Sequence, residues 1–329
     1  MELHRVRDGQ AVPAPPSTQD VLAKTVFTVH EARAAGMTDH QLRDPRLKSP
    51  TPGIRMWDGS ERSWIESVQA IAALPGHHYL SHTTAARLWG IWLPPHLDQD
   101  WPLHVTGRKG TTGNRRRPGV IGHKASFEPE DITEAGSFRL TTPERTWLDL
   151  ATLVRDTDEL VEAGDALLQR HDGPARNPGV LGKNPLSSFT AIDAAMTRRR
   201  RTKGITAARE ARALLREGVD SPLETKTRMI ILGAGLPEPV VNEEVWLSPT
   251  LKRRPDLHYV QWKIAIQYDG EGHAGRGQLN SDIHRDADFT AHGWVVVRAA
   301  SDIYTRAGQR LFLDRLHRAI ASQQKRLGV

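Results

Sequence analysis

The stretch RPDLHYVQWKIAIQYDGEGH, residues 254–273, places acidic and amide side chains inside an otherwise apolar, strand-like pattern. Residues 263–269 alternate, so that Gln267 and Asp269 face one side while isoleucine and tyrosine side chains face the other. Residues 256–260 carry aromatic and branched side chains at strand spacing. The pattern predicts two strands with polar groups gathered on one face.

A two-residue turn at 261–262 would join these strands into a hairpin. In that register Asp256 lies opposite Gln267, and Arg254 lies opposite Asp269. Directly opposed side chains have Cβ atoms ~4.5–5.5 Å apart, which is close enough for one hard divalent cation to bind oxygens from both strands. A second interpretation is open for the hairpin taken alone: a solvated sheet face on which Arg254 neutralises Asp269.

The segments on either side of the hairpin add helices and a further strand. Two glycines predict that the second strand ends in a loop, and this loop leads to His273. A helix pattern over 284–289 and a strand pattern over 293–298 follow. Before the hairpin, Ser-Pro-Leu-Glu at 221–224 opens an amphipathic helix. The expected order is helix, strands, helix, strand, helix.

Together these motifs resemble the very-short-patch-repair-like branch of the PD-(D/E)XK nuclease superfamily, over about residues 221–322. The resemblance rests on SPLE at 221–224, RPD at 254–256, QYDGEGH at 267–273, RD at 285–286, GW at 293–294 and VVR at 296–298. It implies a restriction-endonuclease-like α/β core with a mixed sheet flanked by helices. The family usually carries an acid where this chain has Gln267, and Asp269 occupies the place of the superfamily's lysine.

The activity that this resemblance implies is hydrolysis of phosphodiester bonds in DNA by an endonuclease that uses Mg²⁺ or Mn²⁺. The residues that would carry it are Glu224, Asp256, Gln267, Asp269, His273 and Arg285. The first four would supply oxygen ligands to the metal, with Asp256 at the centre. His273 would act as base or acid, and Arg285 would stabilise charge on the phosphate.

Glu224 has a second candidate role. With Ser221 as N-cap and Pro222 at the first helical position, Glu224 stands where a capping-box glutamate accepts the Ser221 amide and favours the helix dipole. The resemblance makes it instead a metal ligand, directly or through water. We favour the catalytic role, because the same helix start must lie near Asp256 in that fold.

The composition is that of ordinary globular protein. The chain has 329 residues, 38% hydrophobic and 26% charged, which is enough for two or three domains. No stretch approaches ~18 consecutive apolar residues and the N-terminus lacks an apolar signal core, so we expect a cytoplasmic protein without a membrane partner. The absence of cysteine excludes disulfides, thiolate metal sites and cysteine nucleophiles.

The net charge favours an anionic partner, of which nucleic acid is the commonest. The formal charge is +6 and the pI is near 9.7. Residues 221–329 hold 15 Lys and Arg against 12 Asp and Glu, a net charge of +3, and the remaining 30 and 27 again give +3. An electrostatic footprint must therefore come from local patches.

The N-terminal segment has the pattern of a small DNA-binding module. Residues 1–20 are rich in proline and poor in apolar side chains, which predicts a flexible leader. Residues 29–35 predict a short helix ended by a glycine, and a second, threonine-capped helix follows over 39–43. Residues 47–57 predict a strand reached through a Pro/Gly turn. Two short helices and a wing make a winged helix-turn-helix plan over 21–59.

This module resembles the N-terminal part of AbiEi-type antitoxin regulators, which read Ala-Ala-Gly at the turn and Pro-Gly-Ile at the wing, as this chain does at 34–36 and 52–54. The residues that would face a DNA groove are His40, Gln41 and Arg43. Arginine and glutamine can pair bidentately with guanine and adenine edges. The alternative is a small helical subdomain that only packs.

Residues 60–155 continue the resemblance as an AbiEi-like α+β middle region. Its carriers are LSHTTAARLWG at 80–90, PLHVT at 102–106, RRRPG at 115–119 and TTPERTWLDLA at 141–151. The candidate phosphate contacts of its basic turn are Arg115, Arg116 and Arg117. A solvated charge run is an equal alternative there. His82 and His104 lack metal-ligand spacing, so the sequence assigns them no role.

Residues 156–220 predict a helical linker that is interrupted by a loop-rich insert. The linker carries the run TRRRRTK at 197–203, whose cations repel unless they are solvated or meet an acidic partner. The candidate phosphate contacts in this run are Arg198, Arg199, Arg200 and Arg201.

The predicted fold class is α/β: a winged helix-turn-helix front, an α+β middle region, and a nuclease-like core over 221–329. DNA is the expected partner, and the resemblances add a cognate toxin or a repair or defence protein. The alternative function is a non-cutting transcriptional regulator or AbiEi-like antitoxin with a degenerate nuclease domain. A third reading is a purely structural interaction module.

Overall fold

A computed structural model describes residues 17–59, 63–74, 76–110, 117–170, 181, 184–269 and 276–328, without the side chains of 269 and 276–283. Most of the predicted leader lies outside the described residues. So do Arg115, Arg116 and His273.

The described residues form a mixed α/β protein, as the sequence predicts. The helices and strands, in chain order, are Thr18–Leu22 (α1), Val26–Thr28 (β1), Val29–Ala34 (α2), Leu47–Lys48 (β2), Ile54–Trp57 (β3), Trp64–Ala72 (α3), His78–Leu80 (β4), His82–Trp89 (α4), Leu103–Arg108 (β5), Val120–Ala125 (β6), Ile132–Ala135 (β7), Phe138–Thr141 (β8), Pro143–Leu150 (α5), Thr157–Leu167 (α6), Phe189–Arg198 (α7), Ile205–Leu214 (α8), Pro222–Gly233 (α9), Val240–Val241 (β9), Val245–Ser248 (β10), Leu251–Arg253 (β11), Leu257–Tyr259 (β12), Ile264–Asp269 (β13), Arg276–Ala291 (α10), Val295–Ala300 (β14) and Arg306–Leu327 (α11).

The chain divides into two compact units. The first comprises residues 1–85 and 99–142, and the second comprises residues 86–98 and 143–329. The boundary therefore crosses α4 and passes between β8 and α5.

The first unit begins with a small antiparallel sheet in the order β1-β3-β2, beside α1 and α2. Its core is made of the buried side chains Val21, Phe27, Ala32, Met37 and Leu42. The helix that the sequence predicts over 39–43 is a single 3₁₀ turn at Gln41–Arg43, since Asp44 is already extended before Pro45. The strand predicted over 47–57 is two paired strands, β2 and β3, joined by a turn that includes Gly53 at φ 85°.

The rest of the first unit is a five-stranded sheet in the order β6-β5-β4-β8-β7. The pairs β5–β6 and β4–β8 are parallel, and the pairs β4–β5 and β7–β8 are antiparallel. The segment PLHVT at 102–106 leads into β5, and the segment TTPERTWLDLA at 141–151 contains α5, which begins at Pro143 in the second unit.

The second unit carries a helical layer and a mixed sheet. Helix α6 packs against α8 and α9, and its Asp165 forms a fully buried ion pair with Arg228 of α9, with 2.9 Å between Oδ2 and Nη2. The four-stranded sheet has the order β14-β13-β12-β9. Strand β12 is antiparallel to both of its neighbours, β9 and β13, and β13 runs parallel to β14 after the crossover through α10.

The central hairpin has the register that the sequence predicts. Leu257 pairs with Ile266 and Tyr259 pairs with Ile264, which places Asp256 across from Gln267. The Lys263 amide donates to the Val260 carbonyl at 3.1 Å, so the turn is centred on 261–262 as expected. Alternate residues of these strands enter a buried core that includes Leu223, Ile231, Val297, Phe312 and Leu316.

None of the helices in the described part of the chain is both long and apolar enough to cross a membrane.

Candidate functional site

Asp256 is held at the start of β12 by hydrogen bonds to both neighbouring strands. Its Oδ2 accepts from the Tyr268 amide of β13 at 2.8 Å. Its carbonyl accepts from the Asn242 amide, which follows β9, at 2.9 Å. The preceding Pro255 is buried and has no amide to donate, so the strand pairing begins only at Leu257. The carboxylate is therefore fixed across the hairpin, at the level of Gln267.

Gln267 lies on the buried polar face of β13 and is 5% exposed. Its Oε1 accepts from Arg285 Nη1 of α10 at 3.2 Å, and its Nε2 has no hydrogen-bond partner among the described residues. Its neighbour on β14 is Arg298, whose guanidinium pairs with Asp286. The sequence-predicted residues Gln267 and Arg285 thus contact each other directly.

Glu224 is buried at the third position of α9, where it caps the helix start. Its Oε1 accepts from Ser221 Oγ at 2.9 Å, and its Oε2 accepts from the Asp220 amide at 2.9 Å and from Asn242 Nδ2. The sequence expects the Ser221 amide as the donor; the structure has the Asp220 amide instead, because the carboxylate reaches one residue further back. The capping role is therefore present.

The surroundings of Glu224 raise the pKa of its carboxyl. Burial raises the pKa of this carboxyl to about 7, and the negative charge of Asp256 adds to the rise, while the hydrogen bonds from Asp220, Ser221 and Asn242 oppose it. Two carboxylate oxygens offer about four acceptor positions, and the three hydrogen bonds leave about one. Glu224 can therefore cap the helix and still offer one lone pair to a cation or a water.

Arg254 forms hydrogen bonds to two segments outside the hairpin. Its Nη2 donates to Asp220 Oδ2 at 2.7 Å, and its Nε donates to the Asn242 carbonyl at 2.7 Å. The Asp269 side chain, which the sequence pairs with it, lies outside the described residues. Arg254 thus ties the start of the hairpin to the segment before α9.

The oxygen donors that this region could offer a hard divalent cation are the carboxylates of Glu224 and Asp256 and the amide oxygen of Gln267. Oxygen donors of this kind fit Mg²⁺ or Mn²⁺. The pKa of the buried Glu224 is raised beside a second carboxylate, and a bound cation would offset the repulsion between the two negative charges. Asp269 ends β13, next to this group in the chain.

The DNA-contact candidates of the first unit lie at its surface. His40, Gln41 and Arg43 are all exposed. Gln41 Oε1 accepts from the Thr38 amide at 2.8 Å and from its hydroxyl at 3.0 Å, so this side chain is engaged in capping the turn. Arg117 is half-buried and donates to the Pro52 carbonyl, within the same unit.

The arginine run of the second unit lies where α7 ends. Arg198 is the last helical residue and Arg199 caps the helix end. Arg198, Arg200 and Arg201 are exposed, and Arg199 is half-buried. Cations at the carboxyl end of a helix are favoured by the helix dipole. The helix dipole is therefore a second, structural explanation for arginines at the end of α7.

Sequence reasoning missed a histidine cluster in the first unit. The structure brings His82 and His104 together with His123, although the three are far apart in sequence. His104 Nδ1 lies 3.0 Å from His123 Nε2, and the rings of His82 and His123 stack with centroids 3.7 Å apart. Burial, with a contribution from His123, lowers the pKa of His104 to about 4. A parallel pairing of β5 with β6 creates this cluster, and no local spacing signals it.

Part of this chain is similar to two other proteins. Two uncharacterized proteins of Mycobacterium tuberculosis, from strains CDC 1551 and H37Rv, are each 28% identical to this chain over 121 residues. The match covers 36% of this chain and 45% of each relative, so the chain spans less than half of the relatives' length. No protein-family model matches the sequence.

Proposed function

We propose that this is a DNA-acting protein whose C-terminal region is a metal-dependent endonuclease. The observation that supports this proposal most strongly is the fixed position of Asp256. Its carboxylate accepts a hydrogen bond across the hairpin and lies opposite Gln267. It also lies close enough to Glu224 to raise the pKa of that carboxyl. A buried carboxyl whose pKa is raised by burial and by a neighbouring carboxylate is typical of catalytic sites.

The topology supports the same proposal. After α9, the four-stranded sheet is formed by β9, β12 and β13, by the crossover helix α10 and by the parallel strand β14, with the β12–β13 hairpin in its middle. Strands β10 and β11 lie between β9 and β12 in the chain and form a separate two-stranded sheet. This order agrees with the restriction-endonuclease-like arrangement that the PD-(D/E)XK resemblance implies. The proposed substrate class is therefore a nucleic acid phosphodiester, with DNA first.

Mg²⁺ or Mn²⁺ is the proposed cofactor, and when bound it would polarise the phosphate and lower the pKa of a water. Asp256 is the proposed central ligand, with Gln267, Asp269 and Glu224 as further oxygen donors. The Tyr268 amide orients the Asp256 carboxylate, and Arg285 holds the Gln267 amide oxygen. Arg285 is half-buried at this edge and supplies positive charge toward a bound phosphate. His273 remains a proposed acid or base.

DNA contact is proposed at two further surfaces. In the first unit, the winged-helix-like segment would present His40, Gln41 and Arg43 to a groove, and the basic turn at 115–117 would contact phosphates. In the second unit, the arginine run at 198–201 would contact phosphates. The exposure of His40, Gln41, Arg43, Arg198, Arg200 and Arg201 supports the proposal, whereas Arg117 and Arg199 are half-buried. A cognate toxin or a repair or defence protein is proposed as a further partner on the resemblance alone.

A second candidate is a non-cutting DNA-binding regulator, of the AbiEi-like antitoxin kind. The observation in its favour is that Gln267 is neutral and already bound by Arg285, while Glu224 already accepts three hydrogen bonds. Both features reduce the negative charge that is available to a cation.

A cleavage panel tests the proposal. Full-length protein is incubated with plasmid, single-stranded DNA and RNA, each with Mg²⁺, with Mn²⁺ or with chelator. We expect metal-dependent cleavage of DNA that Asp256→Ala abolishes. Asp314→Ala is the matched control, because Asp314 is an exposed acid of α11 in the same unit. If neither metal supports cleavage of any substrate, the regulator becomes the better account.

A further inference from the structure

We propose that His82, His104 and His123 form a binding site for a transition metal of the zinc class, separate from the oxygen-donor site of the second unit. The three side chains converge in the first unit, and one ligand nitrogen from each lies within 4.8 Å of the others. Imidazole nitrogens suit Zn²⁺, Cu²⁺ and Ni²⁺, whereas Mg²⁺ prefers oxygen.

The cluster is built from three elements of the fold. His82 begins α4, His104 lies on β5, and His123 lies on β6. His123 pairs in register with Thr106, two residues beyond His104, so both strand histidines project from the same face of the sheet. The helix start then places His82 over that face.

The distances are close to those that a bound metal requires. Zinc–nitrogen bonds of about 2.0–2.1 Å in tetrahedral geometry place ligand nitrogens about 3.3 Å apart. His104 Nδ1 and His123 Nε2 are 3.0 Å apart, and the widest separation in the cluster is at most 4.8 Å.

A neighbouring hydroxyl contacts one ligand ring, as is typical of metal sites. Ser81 Oγ contacts His82 Nδ1 at 3.0 Å, which assigns Nε2 of His82 to the metal. Ser81 in turn accepts from Thr106 Oγ1 at 2.7 Å, and Thr84 Oγ1 accepts from the His104 amide at 2.7 Å. His82 also has φ 50°, a left-handed backbone conformation that costs energy in a residue other than glycine.

Three protein ligands leave a fourth position for water or a substrate atom, as in catalytic rather than structural zinc sites. His82 and His104 are buried, at 5% and 6% exposure, and His123 is half-buried, which gives the site one side toward solvent.

Calorimetry tests the site. Untagged, chelator-treated full-length protein is titrated with Zn²⁺ in excess Mg²⁺, which occupies the oxygen donors of the second unit. We expect one Zn²⁺ per chain, and a loss of affinity of at least about 100-fold in His123→Gln. His30→Gln is the matched control, because His30 is exposed in the same unit.

A second measurement needs no variant. Co²⁺ added to the wild type should give the visible absorption of a tetrahedral nitrogen-ligated centre, saturating at one equivalent and lost on addition of Zn²⁺. Featureless Co²⁺ spectra with no saturable Zn²⁺ binding would overturn the proposal and leave a hydrogen-bonded cluster of neutral histidines. Equal Zn²⁺ affinity in the wild type and His123→Gln would overturn it as well.

Discussion

At the scale of single residues, Gln267 decides how much negative charge the candidate site holds. Its amide replaces the acid that the resemblance leads one to expect, and Arg285 donates to its oxygen at 3.2 Å. The amide nitrogen is buried without a partner among the described residues. A carboxylate at this position would remove that unsatisfied donor and gain a charge-assisted hydrogen bond from Arg285.

We predict that Gln267→Glu raises the cleavage rate in limiting Mg²⁺ by about tenfold, because one added charge near a cation strengthens its binding by about 1 kcal/mol or more. The measurement is the initial rate of plasmid nicking against Mg²⁺ concentration. Gln261→Glu is the control, since Gln261 is exposed in the turn of the same hairpin. A rate that does not change in Gln267→Glu would remove Gln267 from the site.

At the scale of elements, helix α6 contains an acid that the fold keeps away from water. Glu162 is 6% exposed, and burial raises its pKa to about 8, with Asp158, Glu159 and Asp156 adding to the rise and Lys226 opposing it. The folded protein therefore keeps a proton on Glu162 at neutral pH, whereas the unfolded chain loses it near pH 4.5. Stability from this group is complete below pH 4.5 and falls as the pH rises toward 8.

We predict that Glu162→Gln removes this loss of stability with rising pH. The free energy of unfolding of the wild type should fall, relative to the variant, by up to about 1.4 kcal/mol per pH unit between about pH 5 and 8. Urea unfolding at pH 5, 6.5 and 8 measures the difference. Glu210→Gln, at an exposed position of α8, should follow the wild type at every pH. Parallel curves for wild type and Glu162→Gln would contradict the prediction.

Elements that depend on a short sequence pattern were predictable from the sequence. Features that depend on the pairing of strands far apart in the chain were not. The hairpin register follows from alternation and a two-residue turn, and the start of α9 follows from Ser221 and Pro222. The paired strands β10 and β11 were missed. The histidine cluster was missed because it depends on which strands become neighbours in the sheet, and a sequence pattern of period two carries no information on that. The Asp220 amide as donor to Glu224 depends on side-chain reach, which spacing does not fix.

At the scale of the whole molecule, the charge of +6 is distributed rather than concentrated in one tail. Several cations are already compensated: Arg212 pairs with Asp193 at 2.7 Å and Arg254 with Asp220 at 2.7 Å. The run at the end of α7 is the proposed phosphate contact because Arg198, Arg200 and Arg201 are exposed.

We predict that replacing Arg198, Arg199, Arg200 and Arg201 by glutamine weakens binding to duplex DNA of any sequence. The slope of log affinity against log salt should become shallower by up to about 3 to 4, because each phosphate contact contributes about 0.9. The control replaces four exposed arginines of α11, namely Arg306, Arg310, Arg315 and Arg318, which changes the net charge equally. An equal effect in both variants would assign the binding to net charge instead of to the run.

The most direct test of the central claim is the rate of plasmid nicking by full-length protein in Mn²⁺, compared between wild type and Asp256→Asn. Asparagine keeps the size of the side chain and an oxygen that can accept from the Tyr268 amide, so the hairpin should remain intact while the negative charge is lost. We predict chelator-sensitive nicking by the wild type that falls by at least about 100-fold in the variant. Nicking by Asp256→Asn at the wild-type rate, or an intact plasmid with the wild type, would contradict the account.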